Sequence, residues 1–353
     1  MKTSIYFESR ILIAGSIFLL WLSTSAGGFA ASTGKYSGEF MSIGVGGRAL
    51  GLGSAYTALA NDVTAGYWNP AGLSSIMYPQ ISLMHDERFA GLVNYDYGAV
   101  AFPLGAVSTI AISAIRLGVD NIPDTRQAGV DANGNALPPD QWQNFAYLDR
   151  NRITYFNSAQ WAIYFSYAKK INEVFSYGAN VKIIRRNIGS TSATGIGFDL
   201  AARYFPLQSF VVGANFQDIT TTLVAWSNGT NELISPTLKL GSAYFIDAFD
   251  GRFAPAFDVD IRFENRRGAS NAHFGSMSFD FHSGLEFDYK NVAALRAGYS
   301  EIGSLNFGAG IHLPKFNIDY SFSKFDRTNQ IGDTHRISLT FILEADQFKR
   351  SFE

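Results

Sequence analysis

The residues able to do chemistry in this 353-residue chain are few and far apart. Cysteine is absent, which excludes disulfides, thiol nucleophiles, cysteine-based zinc sites and a lipoprotein anchor. The histidines are His85, His273, His282, His312 and His335, with no spacing that gathers them. His282 precedes Ser283, but neighbours on a strand point to opposite faces, so the two cannot share a site. No Gly-x-Ser-x-Gly elbow occurs, nor a complete Gly-x-Gly-x-x-Gly, nor a phosphate loop ending in Gly-Lys-Ser/Thr. No catalytic residue, cofactor or metal is assigned, and the chain reads as a non-enzyme.

Three polar patterns remain. Asp131-Ala132-Asn133-Gly134-Asn135 alternates oxygen side chains around a glycine, as calcium loops do, but lacks their terminal bidentate Glu. It reads as a turn, since Asx and Gly residues favour turns. A second set, Asp258, Asp260, Arg262, Asp280, Glu286, Asp288 and Arg296, recurs at alternate positions with apolar residues between. The third is Arg48 and Asp62, the two charges in the otherwise uncharged stretch Met41–Ile76. A charge in a confined, partly dry interior needs a partner, so Arg48 is expected to meet a carboxylate.

The elements that carry these residues follow from periodicity. Phe253–Glu264 puts Phe257, Val259, Ile261 and Phe263 on one face and Asp258, Asp260, Arg262 and Glu264 on the other. Met277–Tyr289 repeats this, with Phe279, Phe281, Leu285 and Phe287 opposite Asp280, His282, Glu286 and Asp288. Such a period of two marks strands with one apolar and one polar face. Fourteen such segments occupy 81–89, 94–104, 107–119, 157–170, 174–188, 195–205, 210–218, 236–246, 253–264, 277–289, 292–301, 305–313, 316–325 and 334–343. Most match the ~9–11 residues with which a tilted strand crosses a bilayer. Connections after even-numbered strands are short (Gly105-Ala106, Lys290-Asn291, Pro314-Lys315), while Asp120–Phe156, Ile219–Ser235 and Asn265–Ser276 are long. Outer-membrane barrels show this rhythm of short periplasmic turns and longer external loops.

Composition agrees. Aromatic residues make up 15% and charged residues 16%, the latter below the ~25% of soluble domains. The formal charge of −2 gives no reason to expect nucleic acid. Aromatics at strand ends (Tyr155-Phe156, Tyr204-Phe205, Tyr289, Tyr299) suit a membrane boundary. A soluble sandwich also alternates, but it turns its apolar face inward. Fourteen rows this aromatic overfill such an interior. The predicted fold is therefore all-β: a 14-stranded antiparallel transmembrane barrel.

The stretch before the strands is glycine-dense, with seven glycines from Gly44 to Gly72. It is too short to fold alone and too apolar for a linker, so it reads as a plug needing a surrounding wall. Leu50–Ala60 is predicted to be a short helix ended by Asn61-Asp62, and Asn69-Pro70 starts a new turn. Ahead of it, Lys2 and Arg10, an apolar run Ile11–Leu22 and small residues to Ala30 read as a secretory signal. An uncleaved anchor helix is the alternative. The predicted division is 1–30 signal, 31–78 plug, 79–343 barrel and 344–353 polar tail.

The motif built from Gly44, Gly46, Gly47, Arg48, Gly51 and Gly53, followed by Trp68, Asn69, Pro70, Ala71 and Gly72, resembles the PorV/PorQ family of FadL-like outer-membrane barrels. The resemblance implies that this segment is a hatch folded inside a 14-stranded barrel, in the outer membrane of a Gram-negative-type bacterium. It implies two functions. The first is a type IX-like protein-secretion component or shuttle, whose outer loops bind exported proteins or secretion-system components. Asp120–Phe156, with Trp142, Phe145, Tyr147 and Tyr155, would be that surface. The alternative is a FadL-like conduit for hydrophobic small molecules, with an apolar ligand near the hatch. One departure from barrel proteins is the end: the last strand stops near Leu343, and a polar tail follows.

Overall fold

The computed structural model describes residues 38–89, 91–324 and 333–350. The signal segment, residues 31–37 and the last three residues of the polar tail lie outside the described residues. The wall strands are β1 (Gln80–Arg88), β2 (Val93–Leu104), β3 (Ser108–Asp124), β4 (Thr154–Lys170), β5 (Phe175–Ile188), β6 (Thr191–Leu207) and β7 (Phe210–Gln217). They continue as β8 (Thr237–Tyr244), β9 (Gly251–Arg262), β10 (Met277–Tyr289), β11 (Ala293–Tyr299), β12 (Leu305–Leu313), β13 (Phe316–Lys324) and β14 (Thr334–Ile342). Each pairs antiparallel with its neighbour in the chain. The ring closes where Gln80 faces Ile342 and Asp86 faces Arg336 across β1 and β14. This is the closed 14-stranded antiparallel barrel that the periodicity predicts.

The two faces of the wall differ in chemistry. Leu83, Ile112, Phe165, Phe198, Leu240, Phe281, Leu295, Phe307 and Ile337 point outward and are exposed. Ser82, Asp86, Ser113, Asn180, Asp258, Asp280, Glu286, Arg296 and Ser321 point inward and are buried. An apolar belt of this extent cannot face water without large cost, at ~25 cal/mol per Å², whereas lipid accepts it. Closure removes every strand edge, so the backbone bonds of the wall are satisfied within it.

Two connections differ from their predicted form. The ladder between β3 and β4 extends to Asp124 and Thr154 past an irregularity between Val119 and Ile122, so the long loop is residues 125–153. Inside it, Gly129–Val130 pairs with Tyr147–Leu148. The predicted loop Ile219–Ser235 is mostly a hairpin, in which Thr222–Trp226 pairs with Asn231–Ile234 and also with β6. It continues β7 and β8 beyond a break at residues 218–221, where Asp218 and Thr221 have φ of 53° and 57°. The predicted loop therefore begins as an interruption of the wall, from which strand structure resumes at Thr222.

At the turn end, Phe249-Asp250 and Lys290-Asn291 all have φ between 52° and 57°, the backbone of two-residue hairpin turns whose twist matches the strands. These short turns share an end with the start of β1 and the end of β14. The loops 125–153 and 263–276 lie at the other end.

The wall orientation is testable with one substitution placed twice. Phe281→Arg puts a charge mid-strand on the apolar face, which costs about 2–4 kcal/mol in a bilayer, whereas Phe249→Arg sits in a turn, where the cost falls to about 0–1. Heat-modifiable gel mobility should show little folded barrel for F281R and near wild-type amounts for F249R.

Candidate functional site

Residues 38–79 lie inside the barrel. They form a 3₁₀ turn at Glu39–Met41, a helix α1 at Gly47–Gly51, a helix α2 at Ala65–Trp68 and a 3₁₀ turn at Pro70–Ser75. The predicted helix over Leu50–Ala60 is not formed. Helix α1 starts earlier and stops at Gly51, because the chain must turn at Gly53 (φ 63°) and Ser54 (φ 72°). A Cβ on Gly53 would lie 2.6 Å from the Tyr299 nitrogen of the wall, so glycine is required there for both angle and approach. The wall is relieved to match. A Cβ on Gly298 of β11 would fall 2.1 Å from the Leu52 carbonyl carbon, and one on Gly284 of β10 2.5 Å from the Leu52 oxygen.

A segment with so little regular structure leaves backbone groups unpaired, and wall side chains take them. Asp258 Oδ2 accepts from the backbone N–H of Tyr56 (2.9 Å) and Thr57 (2.7 Å). Ser338 Oγ accepts from Gly47 N–H (2.9 Å). Asn180 Nδ2 donates to the Gly66 carbonyl (2.9 Å) and Asn215 Nδ2 to the Trp68 carbonyl (3.0 Å). Arg203 Nε donates to the Ala58 carbonyl (3.1 Å). Within the segment, Asn69 Nδ2 donates to the Thr57 carbonyl (2.8 Å) and Asn69 Oδ1 accepts from Ala71 N–H (3.1 Å). Trp68 Nε1 donates to the Val45 carbonyl (2.8 Å). Tyr56, Leu52, Val45, Val63 and Leu73 fill the space between as fully buried side chains.

The charges form one connected group. Arg48 donates through Nε and Nη2 to the two carboxylate oxygens of Glu286, both at 2.8 Å. Its Nη1 donates to Asn61 Oδ1 at 2.7 Å and to the Tyr56 hydroxyl at 3.1 Å. The Tyr56 hydroxyl donates to Asp62 Oδ2 at 2.8 Å. Arg296 Nε donates to Glu286 Oε2 and its Nη1 to Asp319 Oδ1, each at 2.6 Å. Arg48, Asp62, Glu286 and Arg296 are thus brought together. Asp260, Arg262 and Asp280 form a second cluster toward the loop end, with Asp260 on Lys239 and Arg262 Nε 3.3 Å from Asp280 Oδ2. Asp288 stands apart at the turn end, 3.4 Å from His312 Nδ1.

Sequence reading missed Ser338, Asn180, Asn215, Arg203, Asp319 and Lys182. The signal existed: each is a polar residue on the inward phase of its strand, and inward glycines such as Gly213 and Gly298 mark where the segment touches. In the long loop, Asp131 Oδ1 accepts from Asn133 and Asn135 N–H, both at 2.8 Å. The side chain of Asn135 above all holds this carboxyl below its usual range. The oxygens are used in an Asx turn.

Beside the break in β7, Lys182 Nζ lies 2.8 Å from both Asp199 Oδ1 and Asp218 Oδ2. A cavity of about 50 Å³ opens there, lined by Tyr67, Tyr164, Lys182, Asp218 and Ile234 among others. A second cavity, of about 310 Å³, lies at the turn end.

Comparison with known proteins gives a partial family match and a fold. The model of an uncharacterised protein family (UPF0164) matches residues 21–96. No curated protein matches the chain in sequence. Among solved structures, the toluene transporter TbuX of Ralstonia pickettii is 15% identical with a TM-score of 0.57, covering 85% of this chain and 99% of that one. The CymD monoaromatic hydrocarbon channel is 14% identical with a TM-score of 0.57, covering 86% and 98%. A FadL homologue of Pseudomonas aeruginosa is 14% identical with a TM-score of 0.51, covering 90% and 100%. The FadL-like part of the sequence resemblance has its counterpart in these folds; none of these matches carries the name PorV or PorQ.

The Arg48–Glu286 pair predicts a local effect. Arg48→Ala leaves Glu286 with Arg296 alone, and breaking one partner of such a pair costs about 3–5 kcal/mol, here toward the lower value because Arg296 remains. The ladders of the wall do not involve Arg48, so folded mobility should persist. Limited proteolysis should cut within 44–72 at least several times faster than in wild type.

Proposed function

We propose that the protein is an outer-membrane channel for small apolar molecules, with the segment inside the barrel as its hatch. The observation that carries this reading is the way the lumen is occupied. The segment is bonded to β5, β6, β7, β9, β10 and β14, strands spread around the ring. Its own interior is aromatic and aliphatic, with Tyr56, Tyr67 and Trp68 packed edge to face. A hydrated solute would have to lose its water against such packing, whereas an apolar one exchanges one apolar contact for another. The break in β7, with Tyr67 and Tyr164 behind it, is a point where the wall is not a continuous ladder and where a path between lumen and bilayer would meet least resistance. Similar folds include a toluene transporter and a monoaromatic hydrocarbon channel, which supports the conduit reading over secretion.

The secretion reading keeps one observation in its favour. Loop 125–153 exposes Trp142, Phe145, Tyr147 and Leu148, which the wall does not need. In that reading these side chains hold an exported protein.

Uptake separates the two. In Gram-negative cells lacking a hydrocarbon channel of their own, expression of this protein should raise the rate of radiolabelled toluene uptake several-fold and leave uptake of a disaccharide unchanged. Toluene uptake equal to that of the empty host would contradict the conduit.

A further inference from the structure

Five lysine and arginine residues are buried among the described residues: Lys182, Arg203, Arg296, Arg336 and Arg350. Three of them have a carboxylate: Lys182 on Asp199 and Asp218, Arg296 on Glu286 and Asp319, and Arg336 on Asp86. Arg203 and Arg350 have none within 4.0 Å among the described residues. Both line the same cavity, the one of about 310 Å³ at the turn end.

Their neutral partners hold them in place. Arg203 Nε donates to the Ala58 carbonyl at 3.1 Å and Nη1 to Ser75 Oγ at 2.9 Å, with the guanidinium 4.8 Å from the Phe205 ring centre. Arg350, in the tail beyond β14, donates through Nε to the Ile76 carbonyl at 2.9 Å, through Nη1 to the Ser108 carbonyl at 3.0 Å and through Nη2 to Thr109 Oγ1. The tail that departs from the usual barrel ending thus folds back beneath the inner segment. Lys170 and Glu173 also line the cavity, and they neutralise each other at 2.7 Å. Among the described residues the lining therefore carries two positive charges without a carboxylate partner. Burying charge without a counter-charge is costly, and Lys182, Arg296 and Arg336 each have one. The lining also includes the apolar side chains of Val174, Phe175 and Phe205, and Val174 and Phe175 are exposed at the barrel rim.

We propose that this cavity binds the oxyanion head of an amphiphile, a carboxylate or phosphate joined to an apolar chain. The head sits between Arg203 and Arg350 with the Ser75 and Ser176 hydroxyls beside it, and the chain runs along Phe205, Phe175 and Val174 toward the bilayer. A guanidinium suits either oxyanion through its forked donors. The proposal does not depend on the conduit reading, since the cavity lies at the turn end, away from the break in β7.

The test is native mass spectrometry and calorimetric titration of the full chain in a non-ionic detergent. Decanoate should bind saturably, about tenfold or more tighter than decanol, the gain of one charge-assisted contact. Arg203→Met should erase that preference. Where R203M fails the heat-mobility test for folding, Arg350→Met, beyond the last strand, should give the same loss. Inorganic phosphate that competes with decanoate would mark the head group as sufficient. A phospholipid retained by wild type and lost in the variant would mark the bilayer as the source. Decanoate and decanol binding equally, or a preference for decanoate that survives in both variants, would overturn the proposal.

Discussion

Everything inside this barrel depends on how an irregular backbone is satisfied away from bulk water. A barrel of this width needs a filled or water-filled lumen, and here residues 38–79 fill it. Their helices are only five and four residues long, so part of the amide and carbonyl groups must find partners outside their own segment. Each left unpaired would cost about 1–3 kcal/mol. The wall supplies the missing partners from its polar face: Asp258 takes two amides, Ser338 one, and Asn180, Asn215 and Arg203 each take a carbonyl. The alternation that makes a strand fit lipid outside is the same alternation that places these groups inside.

Close approach is the second requirement, and it explains the glycine content on both sides. Short hydrogen bonds from wall side chains bring backbone against backbone. Gly51 and Gly308 meet so closely that a Cβ on the first would lie 3.0 Å from the Cα of the second. The charged group around Glu286 then fixes one position of the segment, because Arg48 comes from the segment and Arg296 from the wall and both meet the same carboxylate. Such a pair adds little net stability but penalises any displaced arrangement of the segment.

Much of the wall was legible because lipid imposes a simple rule. Strand number, phase and the faces of Phe281 and Asp280 follow from a period of two. The inner segment was less legible because its shape is set by contact with distant residues. Leu50–Ala60 has helix-forming residues, yet the approach of Gly53 to Tyr299 ends the helix at Gly51. The hairpin of Thr222–Trp226 and Asn231–Ile234 was hidden by the interruption at residues 218–221, where Asp218 meets Lys182. Single residues such as Ser338 could be placed on the inward face but not matched to Gly47, 291 positions away. The cationic cavity at the turn end could not be seen in sequence, because it depends on the tail returning to residues 76 and 109.

The claim that wall side chains hold the segment as an ordered part of the barrel is tested most directly by amide hydrogen exchange on the full chain in detergent or nanodiscs. The account predicts that the amides of Gly47, Tyr56 and Thr57 exchange as slowly as those of the ladder between β9 and β10, and far more slowly than those of loop 125–153. Exchange of these three amides at the rate of that loop, with the ladder still protected, would contradict it.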